Sequence, residues 1–208
     1  HRPGRDTIEV FNFFPKQMKL LHIKTIENKL FVNLNDLIFY KDAFYITRDH
    51  YFANNVGLFI ENFARLPLGS IIRWTKDGVK EVASALRFPN GIINNNGDIY
   101  VAMMTDKKIV RYKVEGQDLK EKMSHALEVF PDNLQISRGR LIVGAHQKGL
   151  SLKRHSEDPA VFSPSMILSL ALAFTNEEIL FEDNGQHFSC SSVGALSLIH
   201  IGRCRLRG

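Results

Sequence analysis

Three asparagine-centred segments recur along the chain, and their spacing restricts the fold more than any other feature. Asn35-Asp36-Leu37-Ile38-Phe39-Tyr40 runs through a Lys41-Asp42 turn into Phe44-Tyr45-Ile46-Thr47. Asn90-Gly91-Ile92-Ile93 runs through Asn94 to Gly97 into Ile99-Tyr100-Val101-Ala102. Asp132-Asn133-Leu134-Gln135-Ile136 runs through Arg138-Gly139 into Leu141-Ile142-Val143-Gly144. Each unit is a polar amide, a short strand, a tight turn and a second apolar strand. Asn35, Asn90 and Asn133 stand 55 and 43 residues apart. Short strands repeating every ~40–50 residues have the spacing of β-propeller blades. The expected fold is therefore all-β, a partial β-propeller. Its three amides would precede inner strands at the same phase and converge on the central axis.

The remaining segments fit that reading. Thr7 to Phe14 and Leu20 to Ile26 alternate and form a hairpin across Pro15-Lys16-Gln17. Gly69 to Trp74 and Val79 to Ala83 flank a Lys76-Asp77-Gly78 turn. Lys108 to Val114 and Ile179 to Asp183 are further strands. Ala53 to Leu68 reads as either a short helix or an irregular excursion. Ser151 to Ser165, polar and carrying Pro159 and Pro164, reads as a loop. At ~40–50 residues per blade, the 208 residues supply about four blades. A closed ring needs more, so the chain is expected to be a piece of a longer protein. Residues 1–196 form the partial propeller. Residues 197–208 follow no repeat logic and read as a non-native, adapter-like tail.

Composition excludes several alternatives. With 44% hydrophobic and 24% charged residues the chain is globular rather than disordered. The net charge is +5, but Arg203, Arg205 and Arg207 crowd the end and the other basic residues are scattered, which argues against a nucleic-acid partner. The longest apolar run, Met166 to Phe174, is about half the ~20 residues of a membrane-spanning helix. Cys190 and Cys204 do not settle the redox compartment. Ser189, Ser191 and Ser192 sit in no Gly-x-Ser-x-Gly elbow, and neither a phosphate loop nor a zinc spacing occurs. Water attack at a metal is thus preferred over covalent catalysis.

Each asparagine taken alone is a turn former. Their shared phase points further, because an amide carbonyl brings an oxygen ligand without charge. Several amides with Asp36 and Asp132 beside them suit a hard divalent ion such as calcium, and leave it electrophilic. His50 and His146 each follow the second strand of a unit, so they would line the same mouth as the ion. A histidine there is suited to taking a proton from water. Phe88, before Pro89-Asn90, is either a pocket wall or simple packing.

At these residues the chain resembles the paraoxonase/arylesterase family of calcium-dependent six-bladed propellers. The resemblance is carried by Thr7 to Phe11, Leu20 to Ile26, Asn33 to Asp36, Asp49-His50-Tyr51-Phe52, Phe88 to Ile92, Asp132-Asn133, Val143 to His146 and Glu182 to Gly185, in family order. It implies that Asn35, Asn90, Asp132 and Asn133 bind a catalytic calcium and that Asp36 binds a second, structural one. It implies that His1 is one of a histidine pair activating water, that Asp132 holds or relays a proton, and that Asp49, His50, Phe88 and His146 line the pocket. It further implies hydrolysis of aryl esters and lactones and a secreted or membrane-associated extracytoplasmic location, with lipid association through a segment ahead of His1. There are departures. The family's other histidine and its Glu-Asp calcium ligands would lie upstream of His1, neither partner of the family disulfide is present, a common cysteine is Ala145, and Gln186 to Cys190 drift from the pattern. The fragment alone is accordingly expected to be inactive. A gluconolactonase-type sugar-lactone hydrolase and a non-catalytic binding propeller are the alternatives.

Overall fold

A computed structural model describes residues 5–64, 66–195 and 200–203. Strands β1 (Ile8–Phe14) and β2 (Lys19–Ile26) form a hairpin joined by a one-turn 3-10 helix at Pro15–Gln17. Then come β3 (Leu34–Tyr40), β4 (Ala43–Arg48), helix α1 (Asn55–Phe63), β5 (Gly69–Thr75) and β6 (Gly78–Leu86). The next unit is β7 (Pro89–Asn95), β8 (Asp98–Met103), β9 (Lys108–Glu115) and β10 (Asp118–Ala126). The third is β11 (Phe130–Ser137), β12 (Arg140–His146), helix α2 (Gly149–Glu157), β13 (Ser165–Ala171) and β14 (Glu178–Asp183). β15 (Ser191–Ala195) and β16 (His200–Arg203) end the described chain.

These strands make three four-stranded antiparallel meanders, β3 to β6, β7 to β10 and β11 to β14, flanked by the two hairpins. The fold is a partial β-propeller. Among the first strands β3, β7 and β11, β7 lies against both of the others, and β15 lies against β11 and β12, so they form the inner edge. Each inner hairpin turns through two residues with positive φ: Lys41 and Asp42, Asn96 and Gly97, Arg138 and Gly139. That geometry matches strand twist and sets the register.

The core lies between blades. One layer joins Ile71 and Tyr45 to Ile92, Val101 and Val110; another joins Tyr100 and Ile109 to Leu134, Leu141 and Leu168. A third seats the β1–β2 hairpin, through Ile8 and Ile26, on Phe31, Ile46 and Ile72. Each fully buried aliphatic side chain contributes about 1.5–3 kcal/mol. Strands β8, β12 and β13 are covered on both faces and read as largely apolar runs, whereas the outer strands β6 and β10 are largely exposed and carry Lys80, Glu81, Lys120, Glu121 and Lys122.

Three expectations change. The stretch 151–165 is not all loop: α2 occupies Gly149–Glu157, because Pro159 and Pro164 fall after it and leave its backbone amides free to pair. Ala53 to Leu68 resolves into α1, with Asn54 Oδ1 accepting the Gly57 N–H at 2.7 Å. β10 and β13 are strands where none was assigned. In the suspected tail, the backbone of His200–Arg203 pairs with β15, while 197–199 and 204–208 lie outside the described residues.

On the outer hairpin, Glu9 accepts hydrogen bonds from Thr25 at 2.6 Å and Thr7 at 2.8 Å, with His22 at 2.8 Å. The Thr25 and Thr7 hydroxyls, with His22 adding, hold its carboxyl down to about 2. The ionised form's contacts are fully present above the ordinary value of 4.5 and are lost as pH falls toward 2. Thr25→Val is expected to return the Glu9 titration toward 4.5, read by carboxyl NMR; an unmoved titration would show that Thr25 does not hold it.

Candidate active site

The inner strand of each complete blade contains the same irregularity. Leu34 pairs with Arg48 and Leu37 with Ile46; Pro89 pairs with Met103 and Ile92 with Val101; Pro131 pairs with Ala145 and Leu134 with Val143. In each case the inner strand holds one residue more than its partner, which is a β-bulge. The bulged residues are Asn35-Asp36, Asn90-Gly91 and Asp132-Asn133. A bulge frees its residues from the ladder and re-aims their side chains. This corrects the expected phase. The equivalent residues are Asn35, Asn90 and Asp132, and Asn133 stands one position on, matching Asp36 and Gly91.

The bulges abut. Asp36 Oδ2 accepts the Ile92 N–H at 3.0 Å and Oδ1 accepts the Leu37 N–H at 2.8 Å. The Thr47 hydroxyl donates to Asn90 O at 2.7 Å and accepts from the Asp36 N–H at 3.0 Å. A Cβ on Gly91 would lie 2.6 Å from both Asn133 Cα and Asp132 O, so no side chain fits where the middle bulge meets the next. The amides are oriented by their NH2 groups. Asn35 donates to Asp49 at 3.0 Å, Asn133 to Asp132 at 3.1 Å and Asn90 to the Met104 sulfur at 3.6 Å. Their carbonyl oxygens remain as the ends available to a cation.

Charge supports the same conclusion. Burial pushes the Asp36 carboxyl above its ordinary range, and the nearby Asp132 charge pushes it the same way. The Asp36 and Asp132 carboxylates and the Asn35, Asn90 and Asn133 amide carbonyls are all hard oxygen donors, the type that suits an ion such as calcium. Among the described residues, no three His, Cys, Asp or Glu side chains gather into a cluster.

The pocket residues divide into two groups. Asp49 and His50 follow β4, and His50 Nδ1 donates to Asp49 Oδ1 at 2.9 Å. The His50 ring packs on Phe88 with centroids 4.8 Å apart. Phe88 has φ 51°, an uncommon conformation for an aromatic residue, and its carbonyl accepts the Met104 N–H at 3.0 Å. Asp49, His50 and Phe88 line one cavity together with Glu61, Leu66, Arg87 and Thr105. His146, by contrast, is buried at the end of β12 and lies outside that cavity, with Nε2 3.0 Å from Asp132 Oδ2. Its Nδ1 is buried with no hydrogen-bond partner among the described residues. If Nε2–H donates to the carboxylate, Nδ1 is the unprotonated nitrogen. His1 lies outside the described residues.

Sequence reasoning missed Thr47 and Glu61. Thr47 sits two residues before Asp49 on a strand that reads as ordinary core, and only the pairing of blades reveals what its hydroxyl joins. Glu61 sits in the stretch whose helical character was undecided.

The arylesterase family model matches residues 1–200 of the chain. The chain belongs to the arylesterase family. It is 34% identical over 166 residues to serum paraoxonase/lactonase 3 of Oryctolagus cuniculus, covering 76% of this chain and 47% of that protein. It is 35% identical over 159 residues to serum paraoxonase/arylesterase 2 of Canis lupus familiaris, covering 73% and 45%. Against serum paraoxonase/arylesterase 2 of Bos taurus the identity is 30% over 206 residues, covering 94% and 57%. The chain thus spans about half the length of the curated relatives it matches.

Thr47→Val keeps the side chain's shape but strips the buried Asn90 carbonyl and the part-buried Asp36 N–H of their partner. It is expected to cost about 1–3 kcal/mol in urea unfolding. An unchanged midpoint would mean that the hydroxyl does not join the blades.

Proposed function

We propose that the protein is a calcium-dependent hydrolase of aryl esters and lactones, working outside the cytoplasm by water attack on a polarised carbonyl. The observation that supports this reading is that the three inner strands carry matching bulges, those of β3 and β11 each meeting that of β7, near a small cavity lined by His50 and Phe88. Family membership and relatives named arylesterases and lactonases support it. No helix among the described residues is long and apolar enough to cross a membrane.

When bound, a calcium ion held by Asn35, Asn90, Asp132 and Asn133 supplies Lewis acidity to the substrate's carbonyl oxygen. Asp36 is assigned to a second, structural ion. The residues of the chain do the rest. Phe88 and the His50 ring present apolar surface to an aryl or alkyl group. Asp49 Oδ1 accepts a hydrogen bond from His50 Nδ1–H at 2.9 Å, which orients the ring in the pocket wall. His1 is assigned to the water-activating pair. Asp132 is assigned to hold or relay a proton, with His146 Nε2 3.0 Å from its Oδ2.

In the native protein, chelation is expected to abolish phenyl acetate and lactone hydrolysis and excess calcium to restore it. Asn90→Ala is expected to lower kcat/KM by about a hundredfold. Full hydrolysis by the Asn90→Ala protein would contradict an axial calcium mechanism.

A further inference from the structure

The segment carrying Asp49 and His50 leaves β4 and enters no other strand, so its backbone groups need partners from side chains. Asn33 serves one side. Its Nδ2 donates to Phe52 O at 2.7 Å and to His50 O at 3.3 Å, and its own carbonyl accepts the Asp49 N–H at 3.1 Å. Glu61 serves the other. The Tyr51 N–H lies 3.2 and 3.0 Å from its two carboxyl oxygens, and the Phe52 N–H lies 3.4 Å from Oε2.

Glu61 is 3% exposed, a depth at which a carboxylate is costly unless hydrogen-bonded. It projects from α1 one turn after Gly57, on the same face of the helix. A Cβ on Gly57 would lie 2.5 Å from Phe52 Cβ, so α1 rests directly on the pocket segment there. The other face of α1 carries Val56, Phe59, Ile60 and Phe63, all exposed. A nine-residue helix is marginal by itself. Among the described contacts, Gly57 and Glu61 attach it to the pocket segment, and Glu61 lines the same cavity as Asp49, His50 and Phe88.

We infer that Glu61 is a positioning residue. By holding the Tyr51 and Phe52 amides it fixes Asp49 and His50 against the pocket and ties α1 to the site. Its consequence for substrate rests on the hydrolase reading; the strap itself does not. Because Glu61 acts on the pocket wall and not on the axial oxygens, its loss falls on KM more than on kcat.

The test is hydrogen exchange by NMR on the native protein, with kinetics alongside. Glu61→Ala is expected to speed exchange at the Tyr51 and Phe52 amides about tenfold or more and to shift the His50 ring resonances, leaving the β7 and β11 amides unchanged. KM should rise about tenfold with kcat within about threefold. Glu61→Gln keeps one acceptor oxygen and should recover most of the protection and the affinity. If Glu61→Ala does not fold, Glu61→Asp, one methylene shorter, should show the same localised loss of protection. Unaltered exchange at Tyr51 and Phe52, unmoved His50 resonances, or a fall in kcat alone would overturn the inference. A native protein that hydrolyses no ester would defeat the proposed function, and the exchange result would still decide the strap.

Discussion

One carboxylate joins the first two blades at the inner edge. Asp36 spends one oxygen on its own strand, at Leu37, and the other on the next blade, at Ile92. It does so beside a second carboxylate, Asp132, and under enough burial to push its carboxyl above the ordinary range. Like charges so placed repel, and the apolar layers between the blades must absorb that cost when nothing else offsets it. A cation among these oxygens would turn the repulsion into attraction. The same few residues thus connect fold stability to chemistry.

The bulges make this possible. In a regular ladder, consecutive side chains point to opposite faces and only one of each pair would reach the axis. One extra residue per inner strand breaks the alternation where oxygen donors are needed. Gly91 is the complementary feature: the neighbouring bulge fills the space its side chain would take. From Asn35, the hydrogen bond to Asp49 carries the arrangement outward to His50 and Phe88, so the pocket is tied to the axial group by a short polar chain.

Much of this was legible in the amino-acid sequence because propeller blades are local. Two-residue turns such as Lys41-Asp42 and Arg138-Gly139 and runs such as Leu141-Ile142-Val143 announce their hairpins without any knowledge of neighbours. The outer strand β10, Asp118–Ala126, did not, because Lys120, Glu121 and Lys122 face water and leave no apolar alternation to read. β13 was hidden for the opposite reason: covered on both faces, its residues form a run with no period at all. The candidate ligands were visible as types and spacing, but their phase was not. Choosing Asn133 over Asp132 as the equivalent of Asn90 is a one-residue matter, and only the strand pairing fixes it. Thr47 and Glu61 were beyond reach because their partners are Asn90 O and two backbone amides, groups that every residue carries.

The central claim is that oxygens far apart in the chain meet around a single ion. Anomalous diffraction from crystals of the native protein grown with calcium tests it directly. The account predicts a peak about 2.3–2.6 Å from side-chain oxygens of Asn35, Asn90, Asp132 and Asn133. A peak elsewhere, with those oxygens facing separate surfaces, would contradict it.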